Sequence, residues 1–129
     1  MKLHDTTGTL LSHADGTIHL QMTKIPSLNQ FYASKHWSAR LKDKKIVGDY
    51  VRLQLDRYAK VRFEKMEVVF YVNYRMDLDN CIMGIKFALD AFKDWGGIPD
   101  DTKKYVQKVS IVYDNTQPKD TGKIIFSKC

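Results

Sequence analysis

Cysteine is scarce in this 129-residue chain, with Cys81 and Cys129 the only two. One falls in an expected helix and the other is the last residue, so they do not make the disulfide framework of a small secreted domain. His4, His13, His19 and His36 show no zinc-ligand spacing with them. No apolar run approaches the roughly 18 residues that a membrane span requires. Met1 to Thr9 is polar and lacks the apolar core of a signal peptide. Low-complexity tracts and internal repeats are also missing. A reduced, cytoplasmic protein with no membrane partner is therefore expected.

Residues 1–129 read as one domain, long enough for a single core. Apolar residues at 43% and charged residues at 28% form an ordinary globular balance, which argues against disorder of the whole chain. Lys and Arg number 21 against 15 Asp and Glu, a net charge of +6. Such a surface attracts polyanions, nucleic acid foremost, although a basic surface also serves solubility alone.

The patterning predicts an α+β fold with a mixed β-sheet and two helices, in the order ββ-α-β-α-β-β. Residues 6–24 read as a hairpin, with Asp15-Gly16 as a type I′ turn signal between strand-like Thr9-Leu10-Leu11 and residues 17–22. Residues 34–60 read as a long helix whose apolar stripe is Trp37, Leu41, Ile46, Tyr50, Leu53, Leu55 and Tyr58, with Gly48 as a candidate kink. Residues 64–74 read as a central strand and 79–93 as a second helix, stopped by Asp94-Trp95-Gly96-Gly97. Lys104–Asp114 and Gly122–Ser127 read as the last two strands.

The chemistry concentrates after the central strand, at Arg75-Met76-Asp77-Leu78-Asp79-Asn80. Carboxylates at i and i+2 point to one side of an extended segment, and hard divalent cations take oxygen ligands of this kind. Asp and Asn ahead of an apolar run also cap helices, but two aspartates plus Asn80 exceed what one cap needs. An EF-hand loop is excluded, because Cys81 stands where a third ligand belongs and the glycine is missing. At about 100° per residue, Asp79, Lys86 and Asp90 lie within about 20° of one direction. Cys81, Ile82, Ile85, Ala88, Leu89 and Phe92 gather on another side. Lys86 and Asp90 read either as an i,i+4 pair or as a cation set beside a metal and a phosphate. Asp100 and Asp101 follow Gly96-Gly97-Ile98-Pro99 in a turn that favours aspartate on structural grounds alone. Clustered carboxylates in a basic chain nonetheless point to a cation and to phosphodiester hydrolysis. Arg40, Lys44, Lys45, Arg75, Lys103 and Lys104 are the candidate DNA contacts.

Taken in order, Asp77-Leu78-Asp79-Asn80, Lys86, Asp90-Ala91-Phe92 and Ile98-Pro99-Asp100-Asp101 resemble the RusA family of Holliday junction resolvases. Ile25-Pro26-Ser27-Leu28-Asn29-Gln30-Phe31-Tyr32 is similar to that family's N-terminal Pro-Ser-x-Asn segment. The likeness spans about residues 17–127, so residues 1–16 read as an N-terminal addition. It implies a Mg²⁺-dependent, structure-selective endodeoxyribonuclease, with Mn²⁺ as a substitute, acting in DNA recombination and repair in a bacterial or phage-infected cell. It also implies an intertwined homodimer that cuts a four-way junction symmetrically. By the same resemblance Asp77, Asp79 and Asp101 hold the metal, Asp100 is a weaker member, and Lys86 matches the family's functional lysine. Lys86 lies seven residues after Asp79, where shorter members have four. Three added residues make nearly one helical turn and return the lysine to about the same face. A non-catalytic protein that binds branched DNA is the alternative.

Overall fold

A computed structural model describes residues 16–27 and 37–129, and the side chains of the first helix from residue 40 onward. The described elements are β1 (Thr17–Met22), α1 (Trp37–Leu55), β2 (Met66–Asn73), a 3-10 turn (Leu78–Cys81), α2 (Ile82–Trp95), β3 (Val106–Tyr113) and β4 (Thr121–Lys128). The fold is α+β. Four strands form one mixed sheet in the order β1-β4-β2-β3. β4 runs antiparallel to both β1 and β2, while β3 runs parallel to β2 through the α2 crossover. No described helix is long and apolar enough to cross a membrane.

Alternation decides which face of the sheet is buried. Ile18, Leu20 and Met22 of β1, Val68, Phe70 and Val72 of β2, and Ile124 and Phe126 of β4 point into one core with the helices. Gly122 is required at its place in β4, because a Cβ there would stand 2.5 Å from Phe70 and 2.7 Å from the Tyr71 carbonyl.

Four members of the stripe expected on the first helix, Leu41, Ile46, Tyr50 and Leu53, turn outward, whereas Leu55 and Tyr58 are buried as expected and the Trp37 side chain lies outside the described residues. Within the helix the buried positions are Val47, Val51, Gln54 and Leu55. That second set has the i, i+4, i+7, i+8 spacing of a core face, and Gln54 within it disguises the pattern. The helix also stops before residue 60. Arg57 and Tyr58 donate to the carbonyls three residues back, which tightens the last turn and ends the α-helix. α1 runs unbroken through Gly48, where an added Cβ would meet nothing within 4 Å.

β1 is an edge strand, and side chains close its outer edge. The Gln54 carboxamide accepts from the Gln21 N–H and donates to the Gln21 carbonyl, each at 2.7 Å. The Tyr58 hydroxyl accepts from the His19 N–H and donates to the His19 carbonyl, each at 3.1 Å. The expected hairpin partner, Thr9-Leu10-Leu11, lies outside the described residues.

α2 begins at Ile82 and extends to Trp95, not 79–93. It is buried on nearly every side, with Met83, Phe87 and Ala91 as well as Ile85, Ala88, Leu89 and Phe92 enclosed. Gly84 lets it approach β2 closely, since a Cβ there would be 2.7 Å from the Phe70 ring. Gly96 ends the helix in the left-handed conformation at φ 95°, its N–H donating to the Lys93 and Phe92 carbonyls.

Candidate nuclease site

The site is built where the chain leaves β2. The Tyr74 hydroxyl donates to the Thr23 carbonyl and ties the end of the strand to the segment after β1. Asp77 then takes an extended conformation (φ −63°, ψ 156°) and opens the 3-10 turn. Its carbonyl accepts from the Asn80 N–H at 3.0 Å and from the buried Cys81 thiol at 3.6 Å. Burial, with the Asp79 carboxylate as a lesser cause, pushes that thiol up to about 11, so it stays a proton donor at neutral pH.

The capping explanation for these aspartates does not hold at the side chains. Asp77 occupies the N-cap position without a side-chain cap bond, and both Asp77 and Asp79 are exposed. Their carboxylates remain available to an external ligand.

The 3-10 turn alters the expected alignment of Asp79 with Lys86. A 3-10 turn advances about 120° per residue against about 100° in an α-helix. Asp79 lies on the turn, whereas Lys86 and Asp90 lie on α2. By that count Lys86 lies about 40° from Asp79 and Asp90 about 80° from it, so the three charges fan across one side instead of forming a straight line.

Lys86, Asp90 and Asp101 line one open groove of about 560 Å³ together with Ile82, Val109 and Lys44. From Ile82 to Asp90 this groove follows α2 for about 12 Å. Ile82 directly follows the turn that carries Asp79. Lys86 is exposed and makes no ion pair with a described residue. Asp90 is bound by Lys44 of α1, Nζ to Oδ2 3.2 Å, rather than by Lys86.

Asp100 and Asp101 are separated by their bonding. The Asp100 Oδ1 accepts from the Asp101 N–H at 2.9 Å and so stabilises its own turn. Asp101 is exposed and reaches the groove; Asp100 is not among the groove's lining residues. Among the described residues no three His, Cys, Asp or Glu side chains stand close enough to share one metal ion. By kind, exposed carboxylate oxygens suit a hard divalent cation. Asp77 and Asp79 are two positions apart on one turn, with Asp101 in the groove that begins beside it.

The candidate DNA contacts divide in the same way. Lys44 pairs with Asp90, and Lys45 pairs with Asp49 at 2.9 Å. Arg40 is half-buried, while Arg75, Lys103 and Lys104 are exposed. Lys104 shares a second hollow with Arg62 and Lys65. Arg62 and Lys65 carry no signal in the sequence, because they lie in a connection with no motif. Their shared surface with Lys104 arises only when β2 and β3 pair in parallel. The chain matches no protein-family model and no curated protein sequence.

Proposed function

We propose that this protein is a divalent-metal-dependent, structure-selective endodeoxyribonuclease that resolves Holliday junctions or related branched DNA and acts as a homodimer. The observation that carries the reading is the groove along α2, which brings Lys86 and Asp101 together beside the turn bearing Asp77 and Asp79. Support also comes from the ordered resemblance of these residues to the RusA family, from the net charge of +6, and from carboxylates without structural duties.

Asp77 and Asp79 would hold Mg²⁺, or Mn²⁺ in its place, and Asp101 would join them only by moving closer than it stands in the described fold, with Asp100 chiefly occupied by its turn. When bound, the cation supplies a Lewis acid and an activated water for phosphodiester hydrolysis. Lys86 places a positive charge in the groove, where it offsets charge that develops on a scissile phosphate. Arg75, Lys103 and Lys104 hold neighbouring phosphates and release counterions from the DNA.

Cleavage of a synthetic four-way junction with Mg²⁺, comparing the wild type with Asp79→Asn, tests this reading. Cleavage by the wild type and loss in the variant are expected. Equal metal-dependent nicking by both would remove the site. Binding without cleavage under any metal would favour the non-catalytic alternative, and equal cleavage of linear duplex would remove the preference for junctions.

A further inference from the structure

The two edges of the sheet are treated differently. Side chains of Gln54 and Tyr58 bond the outer edge of β1. β3, the opposite edge, bonds to β2 alone among the described strands. The Asp114 N–H donates to the Val72 carbonyl. By strand alternation the amides and carbonyls of Val109, Ile111 and Tyr113 therefore point away from β2. β3 also carries three exposed apolar side chains, Val109, Val112 and Tyr113, at 43%, 41% and 59% exposure. An open strand edge with apolar side chains invites another strand, and proteins that avoid this place charge or proline there. β3 has one charge, Lys108, and no proline.

We propose that the β3 edge pairs with the β3 edge of a second copy, antiparallel about a two-fold axis through Ile111. Self-complementarity selects this register. Ile111 meets Ile111, and Val109 meets Tyr113 of the second copy twice over. All three outward-facing backbone positions then find partners. Ser110 faces Val112, so each exposed apolar side chain gains a neighbour. Lys108 falls opposite Asp114, on the sheet face away from the helices, and two opposite-charge pairs close the ends. A two-residue shift that centres the axis on Ser110 places Lys108 against Val112 and loses both pairs. The interface borders the groove, since Val109 lines it.

This pairing supplies the interface of the homodimer in the reading above, on which it rests for the number of copies but not for any activity. The test uses the full chain. In a Cys129→Ser background, Ile111→Cys places two sulfurs across a pair whose Cα separation is about 5.5 Å, within disulfide reach. Mild oxidation is expected to give a covalent dimer, and Gln21→Cys at the guarded edge is expected to give none. By sedimentation the wild type is expected to be dimeric. Val109→Lys is expected to weaken dimerisation about tenfold or more while circular dichroism stays unchanged. A wild type that stays monomeric at every soluble concentration overturns the proposal. So does a dimer that ignores Val109→Lys and does not cross-link at position 111. Junction cleavage measured on the same samples separates the two ideas: a β3-linked dimer without cleavage sinks only the nuclease, and cleavage by a dimer of another geometry sinks only the interface.

Discussion

The Lys44 ammonium lies 3.2 Å from the Asp90 carboxylate and joins α1 to α2 beside the groove. The two side chains are 52% and 29% exposed, so the pair contributes at most about 1 kcal/mol to stability. Lys44→Ala should therefore lower thermal stability only slightly. If Lys44 exchanges Asp90 for a phosphate on binding, the salt dependence of junction affinity should also fall by about one unit. Titration over a range of salt concentrations gives that slope. An unchanged slope assigns Lys44 to the helix pair alone.

The four aspartates should separate in a metal-dependent cleavage assay. Asp77→Asn, Asp79→Asn and Asp101→Asn should each reduce cleavage by about a hundredfold or more. Their carboxylates make no side-chain bond within the described fold, so melting should move by no more than about 0.5 kcal/mol equivalent. Asp100→Ala should do the reverse and retain most activity while losing about 1 kcal/mol, since the Asp101 N–H loses its acceptor. Parallel melting and single-turnover cleavage would show whether activity and stability divide in this manner.

Gln54→Ala should cost about 1–3 kcal/mol, because it leaves both the N–H and the carbonyl of Gln21 without their partner. It should also promote aggregation, since β1 would then have an open edge. Chemical denaturation and light scattering measure the two effects. A variant as stable and soluble as the wild type would show that the edge needs no guard.

The glycines should respond with opposite signs. Gly48→Ala adds a methyl in open space within α1 and should stabilise by about 0.5–1 kcal/mol. Gly84→Ala gains the same helix propensity but drives a methyl to 2.7 Å from Phe70, and should cost about 1–3 kcal/mol net. Differential scanning calorimetry of the two variants tests the packing of α2 on β2.

Acid should act through Asp114. Bonds from the Thr116 hydroxyl and N–H and from Gln117 hold its carboxyl below the ordinary 3.8. A carboxyl depressed in the folded state contributes stability that is present above its unfolded value and lost as pH falls through the folded one. Stability should thus fall below 3.8, and Asp114→Asn should flatten that part of the curve. Melting temperatures across acid pH measure it. An identical acid slope in the variant would assign the loss to other groups.

The fold class and the order of the described elements were legible from periodicity, since alternation and 3.6-residue patterns are local properties. β2, β3 and β4 lie within two residues of their expected bounds, and α2 begins three residues late because a 3-10 turn precedes it. α1 was legible as a helix but not in its orientation. Gln54 sits inward because it bonds the edge of β1, a partner 33 residues away that no local pattern reveals. The candidate aspartates were likewise visible as residue types and spacings. Their inequality was not. Asp100 is occupied by its own turn, Asp101 reaches the groove, and Asp90 is taken by Lys44, because such neighbours are set by packing between elements distant in the chain. The sequence by itself determined the α+β pattern, the basic charge and the set of carboxylates. Only the tertiary structure decided, among the described residues, which edge of the sheet is bonded by side chains, which carboxylates bond within the fold and which cations are paired, since each depends on a three-dimensional contact that sequence spacing does not encode.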